Sequence, residues 1–297
     1  MIRVLTLAAL AWSAIPAPAT ILSSVSGQPA HADAVIFIHT GESLILTTLA
    51  DDRRKAVRWY QIEPELRAYD NHPGKHRKLD AIAYRRRGLS AHPAVQLDLR
   101  FSKPGTRYFC TEAIVPERFA ESEPLQRKYP GRIVQVVVRS GDEYCDFLGE
   151  LFGTPFIMGP DVGSGGWHQT DQRIGSDCAA FATYGQRRMG KRVPYAGPVG
   201  IVEFLRPLTP TSLAVSSADG LYRDSRGGMM KVGGNGIRRG DIVHFGDQVS
   251  VFYADHGQRG WLDADDLLVQ SWRTKPHFTT IRECGFFSRP VRVYRWR

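Results

Sequence analysis

The feature that most constrains this chain is a change of hydrophobic period at residue 140. Before it, short runs rich in Val, Ile, Tyr and Phe follow one another: "AVIFIH" (34–39), "SLILTTL" (43–49), "AVRWYQIE" (56–63), "AVQLDLRF" (94–101), "TRYFCTEAIV" (106–115) and "RIVQVVV" (132–138). Stretches such as "YDNHPGKH" and "SKPGT" interrupt them, and Pro, Gly, Asn and Asp at such places turn an extended chain. Residues 33–139 therefore predict an all-β unit. After residue 140 the spacing becomes helical. "SGDEYCDFLGELFGTP" carries Ser140 and Glu143 at capping-box spacing and sets Phe147, Leu148, Leu151 and Phe152 along one side, which predicts a helix of about three turns. A second helix starts at Cys178, capped by Ser176 or Asp177. Cys178, Phe181, Ala182, Gly185 and Met189 share its buried face, and Arg187 and Arg188 occupy its last turn before Gly190. "VGIVEFL" (199–205) predicts a short helical piece. Beyond a Gly-, Ser- and Asp-rich connection, "GDIVHF", "QVSVFYAD", "DLLVQSW", "HFTTIREC" and "VRVYRW" predict antiparallel strands. Two domains, 33–139 and 140–297, are a normal division of 297 residues.

The first 19 residues read as an export signal: Arg3, the apolar Val4–Ile15, then Ala17-Pro18-Ala19 at the cleavage position. The apolar stretch is shorter than the roughly 20 residues that span a bilayer, so an exported protein without a transmembrane segment is expected, periplasmic or secreted. The net charge of +9 is spread over small clusters, among them Arg53-Arg54-Lys55, Lys75-His76-Arg77-Lys78, Arg85-Arg86-Arg87, and Arg187-Arg188 with Lys191-Arg192. Such a surface attracts anionic polymers. No nucleic-acid-binding motif accompanies it, so nucleic acid is not an expected partner. The four cysteines, Cys110, Cys145, Cys178 and Cys284, lack metal-binding spacing. An oxidising compartment permits one pair, and Cys145 with Cys284 is the pairing that leaves Cys178 free. No dinucleotide or phosphate-loop fingerprint implies a cofactor.

"GSDCAAFATYGQRRMG" (175–190) raises the chemical question. A cysteine in the first turn of a helix faces free backbone N–H groups and the positive end of the dipole, both of which favour the nucleophilic thiolate. The same N–H groups can hold an oxyanion. Asp177 opposes this by raising the thiol pKa unless it is turned aside as the cap. The plain alternative makes Cys178 one more apolar residue of a buried face.

Two resemblances extend this reading. "VRWYQ" resembles the Trp-bearing strand of an immunoglobulin-like sandwich and "GTRYFC" its Tyr-x-Cys strand, with Leu44 or Leu46 where the partner cysteine would stand. Over about residues 141–272, the order "FLGELFGTPFIMGP…GSDCAAFATYGQRRMGKRVPYAGP…IRRGDIVHF…QVSVFY…LLVQSW" resembles the NlpC-like family of papain-fold cell-wall cysteine peptidases. The resemblance implies an Ig-like β-sandwich followed by an α+β papain-like domain with an antiparallel sheet. It also implies cell-wall stem peptides as substrate, Cys178 as nucleophile, and Asp177-Cys178 and Gly240-Asp241 at the family's Asp-Cys and Gly-Asp. Gln248 stands in the place of the family's catalytic histidine, Gln270 at its third polar residue, and Phe156 in the place of a tyrosine. Glutamine is no base near neutral pH. His244 is the favoured substitute, with His168 and His277 as further candidates, while Trp167, His168, Asp177 and Trp272 would line the substrate cleft. The expectation is a cysteine hydrolase of amide bonds in peptidoglycan, with the β-domain docking on wall or a protein partner. The alternative is a degenerate papain-fold protein that binds peptide, wall or partner without cutting.

Overall fold

The computed structural model describes residues 20–50, 53–54, 56–71, 79–111, 114–216 and 218–297. The export signal expected over 1–19 lies outside the described residues. The chain is mostly β. Among the described residues there are three short α-helices, α1 (Leu125–Lys128), α2 (Tyr144–Gly149) and α3 (Cys178–Arg188), and one 3-10 turn at Gly200–Phe204. Among the described residues no helix is long and apolar enough to cross a membrane.

Two larger sheets make up most of the first half, whose strand Ala68–Asp70 pairs instead with Phe156–Met158. In one, Ser43–Ala50 pairs antiparallel with Thr20–Val25, Arg53–Arg54 and Gln96–Arg100. The other has six strands in the order Arg118–Glu121, Ile82–Gly88, Trp59–Pro64, Gly105–Thr111, Ile133–Arg139, Val35–His39. All its pairs are antiparallel except the last. Their facing sides share a core of Ile21, Ile36, Ile38, Leu44, Leu46, Trp59, Phe109 and the alternate residues Val134, Val136 and Val138. Ile133 faces the other way, into a second core with Tyr108, Cys110, Ile157 and Trp167. The strand Ile133–Arg139 is thus buried on both faces, which is why "RIVQVVV" lacks alternation. The immunoglobulin-like reading requires Trp59 and Cys110 on one face. Phe109 fills that face instead, and Tyr108 and Cys110 point away from Trp59, Leu44 and Leu46.

The second half carries a six-stranded antiparallel sheet in the order Leu205–Pro207, Arg292–Trp296, Ile242–His244, Val249–Ala254, Leu267–Trp272, Lys275–Thr280. One face packs under α2 and α3 through Ile242, Val249, Val251, Val269 and Tyr294. The other covers Val243, Phe252, Leu268, Ile281, Cys284 and Val293. Strand alternation produces both cores. Helix α2 is half the expected length because its capping box is Glu143 with Asp146, three residues past Ser140. The Ser140 hydroxyl bonds Asp146 Oδ1 at 2.9 Å instead. All four cysteines are buried and free. Cys145 and Cys284 lie on opposite faces of the sheet, so the expected pair does not form.

The halves are joined where Phe156–Met158 pairs parallel with Ala68–Asp70 and where Ile157, Trp167 and Ile174 enter the first half's core, and they also meet around a buried carboxylate. Glu150, wholly inaccessible, receives Arg188 Nε and Nη2 at 2.8 and 3.0 Å and the Tyr184 hydroxyl, with Arg139 Nη1 at 3.8 Å. Its main-chain oxygen accepts the Thr106 hydroxyl at 2.7 Å. Removing one partner of a buried pair leaves uncompensated charge and costs on the order of 3–5 kcal/mol. Glu150→Ala should therefore lower the unfolding free energy by an amount of that size, and the denaturant midpoint with it. Asp265→Ala, which removes the exposed partner of Arg282, should leave the midpoint nearly unchanged. Equal small effects from the two would show that Glu150 does not hold the halves together.

Candidate functional site

Cys178 opens α3 as its sequence predicts, with Asp177 as cap accepting the Ala180 N–H at 2.7 Å. The rest of α3 explains why the helix is seated here: Ala179, Phe181, Ala182 and Tyr184 pack on the sheet with Cys178 among them. The thiol is 5% exposed. Main-chain N–H groups of Val249, Ala179 and Cys178 itself bear on the sulfur and favour thiolate, but burial is the larger effect, the Asp177 carboxylate adds to it, and the pKa is pushed up to about 12. Burial also raises the Asp177 carboxyl. At neutral pH the group is a thiol.

The hairpin after Ile242–His244 is tight. Phe245 donates to Gln248 at 2.8 Å across Gly246-Asp247, and His244 stands opposite Val249. With this register His244 shares the α3 face with Val249 and Cys178, whereas Gln248, Ser250 and Gln270 belong to the other face. There the Ser250 hydroxyl donates to Gln270 Oε1 at 2.7 Å, Gln248 Nε2 reaches the same oxygen at 3.4 Å, and Gln270 Nε2 reaches the Cys284 carbonyl at 3.2 Å. The two glutamines are thus tied to each other across the sheet from the cysteine. His244 is on the right face but fully engaged. Its Nε2 meets the Pro198 carbonyl at 2.8 Å, which requires N–H at that atom, and Nδ1 then accepts the Gly246 N–H at 3.1 Å. Among the described residues no hydrogen bond joins Cys178 to a histidine.

The other candidates disperse. Trp167 is a core side chain of the first half. Gly163 lies so close beneath it that a Cβ there would come within 2.1 Å of the indole. Trp272 packs edgewise on Phe286 and Phe156, with ring centres 5.0 and 5.7 Å away. His277 Nδ1 is satisfied by the Lys275 carbonyl at 2.8 Å. His168 stacks on Tyr195 at 3.8 Å, beside Asp171, which holds Arg187 and the Tyr195 hydroxyl. This cluster, unlike Cys178, carries no sequence signal beyond the two arginines ending α3. Among the described residues no group of His, Cys, Asp and Glu is arranged to hold a metal.

A concave feature lies apart from all of these candidate residues. A groove of about 230 Å³ between the halves is lined by Ile62, Pro64, Leu66, Pro104, Phe152 and Gly153 among others. Phe152 meets the exposed Phe278 edgewise at 5.3 Å, and Phe278 in turn meets Tyr253 at 4.6 Å. Compared with known proteins, the chain matches no family model, and no curated protein or solved structure proved similar to it.

Burial holds His168 neutral and lowers its pKa from 6.5 to about 4. The unfolded chain takes up the proton that the folded chain refuses, so this group's share of stability is full above pH 6.5 and is lost as pH falls toward 4. Melting temperatures of wild type and His168→Gln should converge through that window. Parallel curves would contradict the burial of this imidazole.

Proposed function

We propose that this chain is an exported, catalytically silent relative of papain-like NlpC-type proteins, which holds peptides of the cell wall without cleaving them. The observation that carries this reading is the protonated, enclosed Cys178, together with His244, the imidazole on the sheet face beneath α3, which already gives its proton to Pro198 and its lone pair to Gly246. Acyl transfer by cysteine needs a thiolate and a base able to shuttle a proton. Both requirements go unmet in this arrangement. The groove between the halves, where Ile62, Pro64, Leu66, Pro104 and Phe152 stand beside Gln61, Glu63 and Arg107, offers apolar and polar surface on which a short extended peptide could dock. The front sheets are suited to dock on the wall or on a partner protein, and the positive surface favours acidic stem peptides.

A second reading keeps the hydrolase, because Cys178 and His244 share a face and main-chain N–H groups of Val249 and Ala179 already bear on the sulfur. Digestion of purified peptidoglycan separates the two. Wild type, Cys178→Ala and His244→Ala should release equal, background amounts of muropeptides, while wild type and Cys178→Ala co-sediment with the insoluble wall to the same extent. Muropeptide release by wild type that Cys178→Ala abolishes would reverse the conclusion. Failure of both proteins to co-sediment would remove the wall as the ligand.

A further inference from the structure

The C-terminal end of α3 lies beside a cleft of about 580 Å³ that peptide holding leaves without a task. Its walls include Asp171, Arg173, Arg187, Arg188, Lys191 and Arg192, five cations against one carboxylate. Helix α3 has 11 residues, so the cleft is about 15 Å along the axis from Cys178. Two of the cations are neutralised: Arg187 by Asp171 at 2.7 Å, and Arg188 by Glu150 at 2.8 Å. Lys191 Nζ meets a main-chain oxygen of Arg297 at 3.4 Å. Among the described residues neither Arg192 nor Arg173 has a carboxylate within 4.0 Å.

Arg173 is the informative member. It is 6% exposed, and its backbone sits at φ 56, a region few residues other than glycine adopt. Its polar partners are uncharged: Gln135 Oε1 at 3.2 and 3.4 Å, and the Tyr184 hydroxyl at 3.4 Å. The guanidinium also lies 5.2 Å from the ring centre of Phe37. A buried charge without a counter-ion is costly, and here it borders an open cleft whose other walls are cationic. An anion entering that cleft supplies what Arg173 lacks.

We propose that the cleft binds an anion carrying two or more phosphoryl groups, with Arg173 at its base and Lys191 and Arg192 at its rim. Guanidinium forks match phosphoryl oxygens in pairs, and the lysine adds a point charge. A phosphoryl group carries more charge than a carboxylate and offers three acceptor oxygens to donors arriving from several directions. The same groups could belong to a soluble oligophosphate or to lipid headgroups.

Calorimetric titration of the full chain with tripolyphosphate at about 0.1 M salt, where Debye screening already weakens diffuse attraction, tests the site. Saturable binding is expected, weakened about tenfold or more by Lys191→Gln with Arg192→Gln. Arg85→Gln with Arg87→Gln, which removes the same charge from the strand Ile82–Gly88 outside the cleft, should leave affinity unchanged. Arg173→Gln should abolish binding while the protein still melts cooperatively. Should that variant not fold, the rim pair alone decides. Vesicles containing phosphatidate form the second arm: co-sedimentation that tripolyphosphate displaces points to a lipid surface, and tripolyphosphate binding without co-sedimentation points to a soluble ligand. Absence of saturable binding in both arms overturns the proposal. So does equal weakening by the two double variants, or no weakening by the rim pair.

Discussion

The arrangement of this protein depends on a carboxylate that water does not reach. Glu150 follows α2, and Arg188, Tyr184, Arg139 and Thr106 converge on it from α3 and from two strands of the first half. An ion taken out of water must be matched by charge and hydrogen bonds, or the fold does not tolerate it. Because two of the matching groups sit one turn apart on α3, they fix the rotation of that helix as well as its position. The rotation then decides what its two ends present. Cys178 is turned onto Val249, Val251 and Val269, while at the other end Arg188 lies over Phe37 of the first half and Arg187 reaches Asp171.

The two ends of α3 therefore differ from what dipole reasoning alone would assign. At the N-terminus the N–H groups and the dipole favour a thiolate, but the sulfur is packed among apolar side chains and next to a carboxylate. The cost of desolvating an anion outweighs a few partial charges, so the thiol keeps its proton. The tight Gly246-Asp247 turn then places His244 on the cysteine's side of the sheet and at once occupies both of its ring nitrogens. At the C-terminus, where cations suit the dipole, more positive charge gathers than the local carboxylates balance.

Much of this was legible in the sequence, for physical reasons that can be named. The apolar, β-branched runs "SLILTTL" and "RIVQVVV" mark strands, the second without alternation because both its faces are buried, and the Asp-Cys start and Gly190 end of α3 bracket the observed helix. The Gly246-Asp247 pair marks a tight turn between two strands, and that turn fixes the face of His244. The strand Ile82–Gly88 was hidden because Arg85, Arg86 and Arg87 read as a charge cluster although Ile82 and Tyr84 alternate into the core. Trp167 read as a cleft wall because nothing local reveals that the first half's sheet covers it. Tertiary contact also decided the cysteines: two faces of one sheet separate Cys145 from Cys284, and spacing along the chain carries no trace of that. Glu150 and Arg173 are ordinary in the sequence and become distinctive only where the halves meet.

The central claim is that Cys178 stays a neutral thiol across the physiological range. Following thiolate absorbance in the ultraviolet while raising pH, with Cys178→Ala as the reference, measures it directly. The difference between the two proteins should show no ionisation step below about pH 10, well above the pKa near 8.5 of a free cysteine. A step at or below that free-cysteine value would mean an activated sulfur and would contradict a helix end at which burial outweighs the dipole.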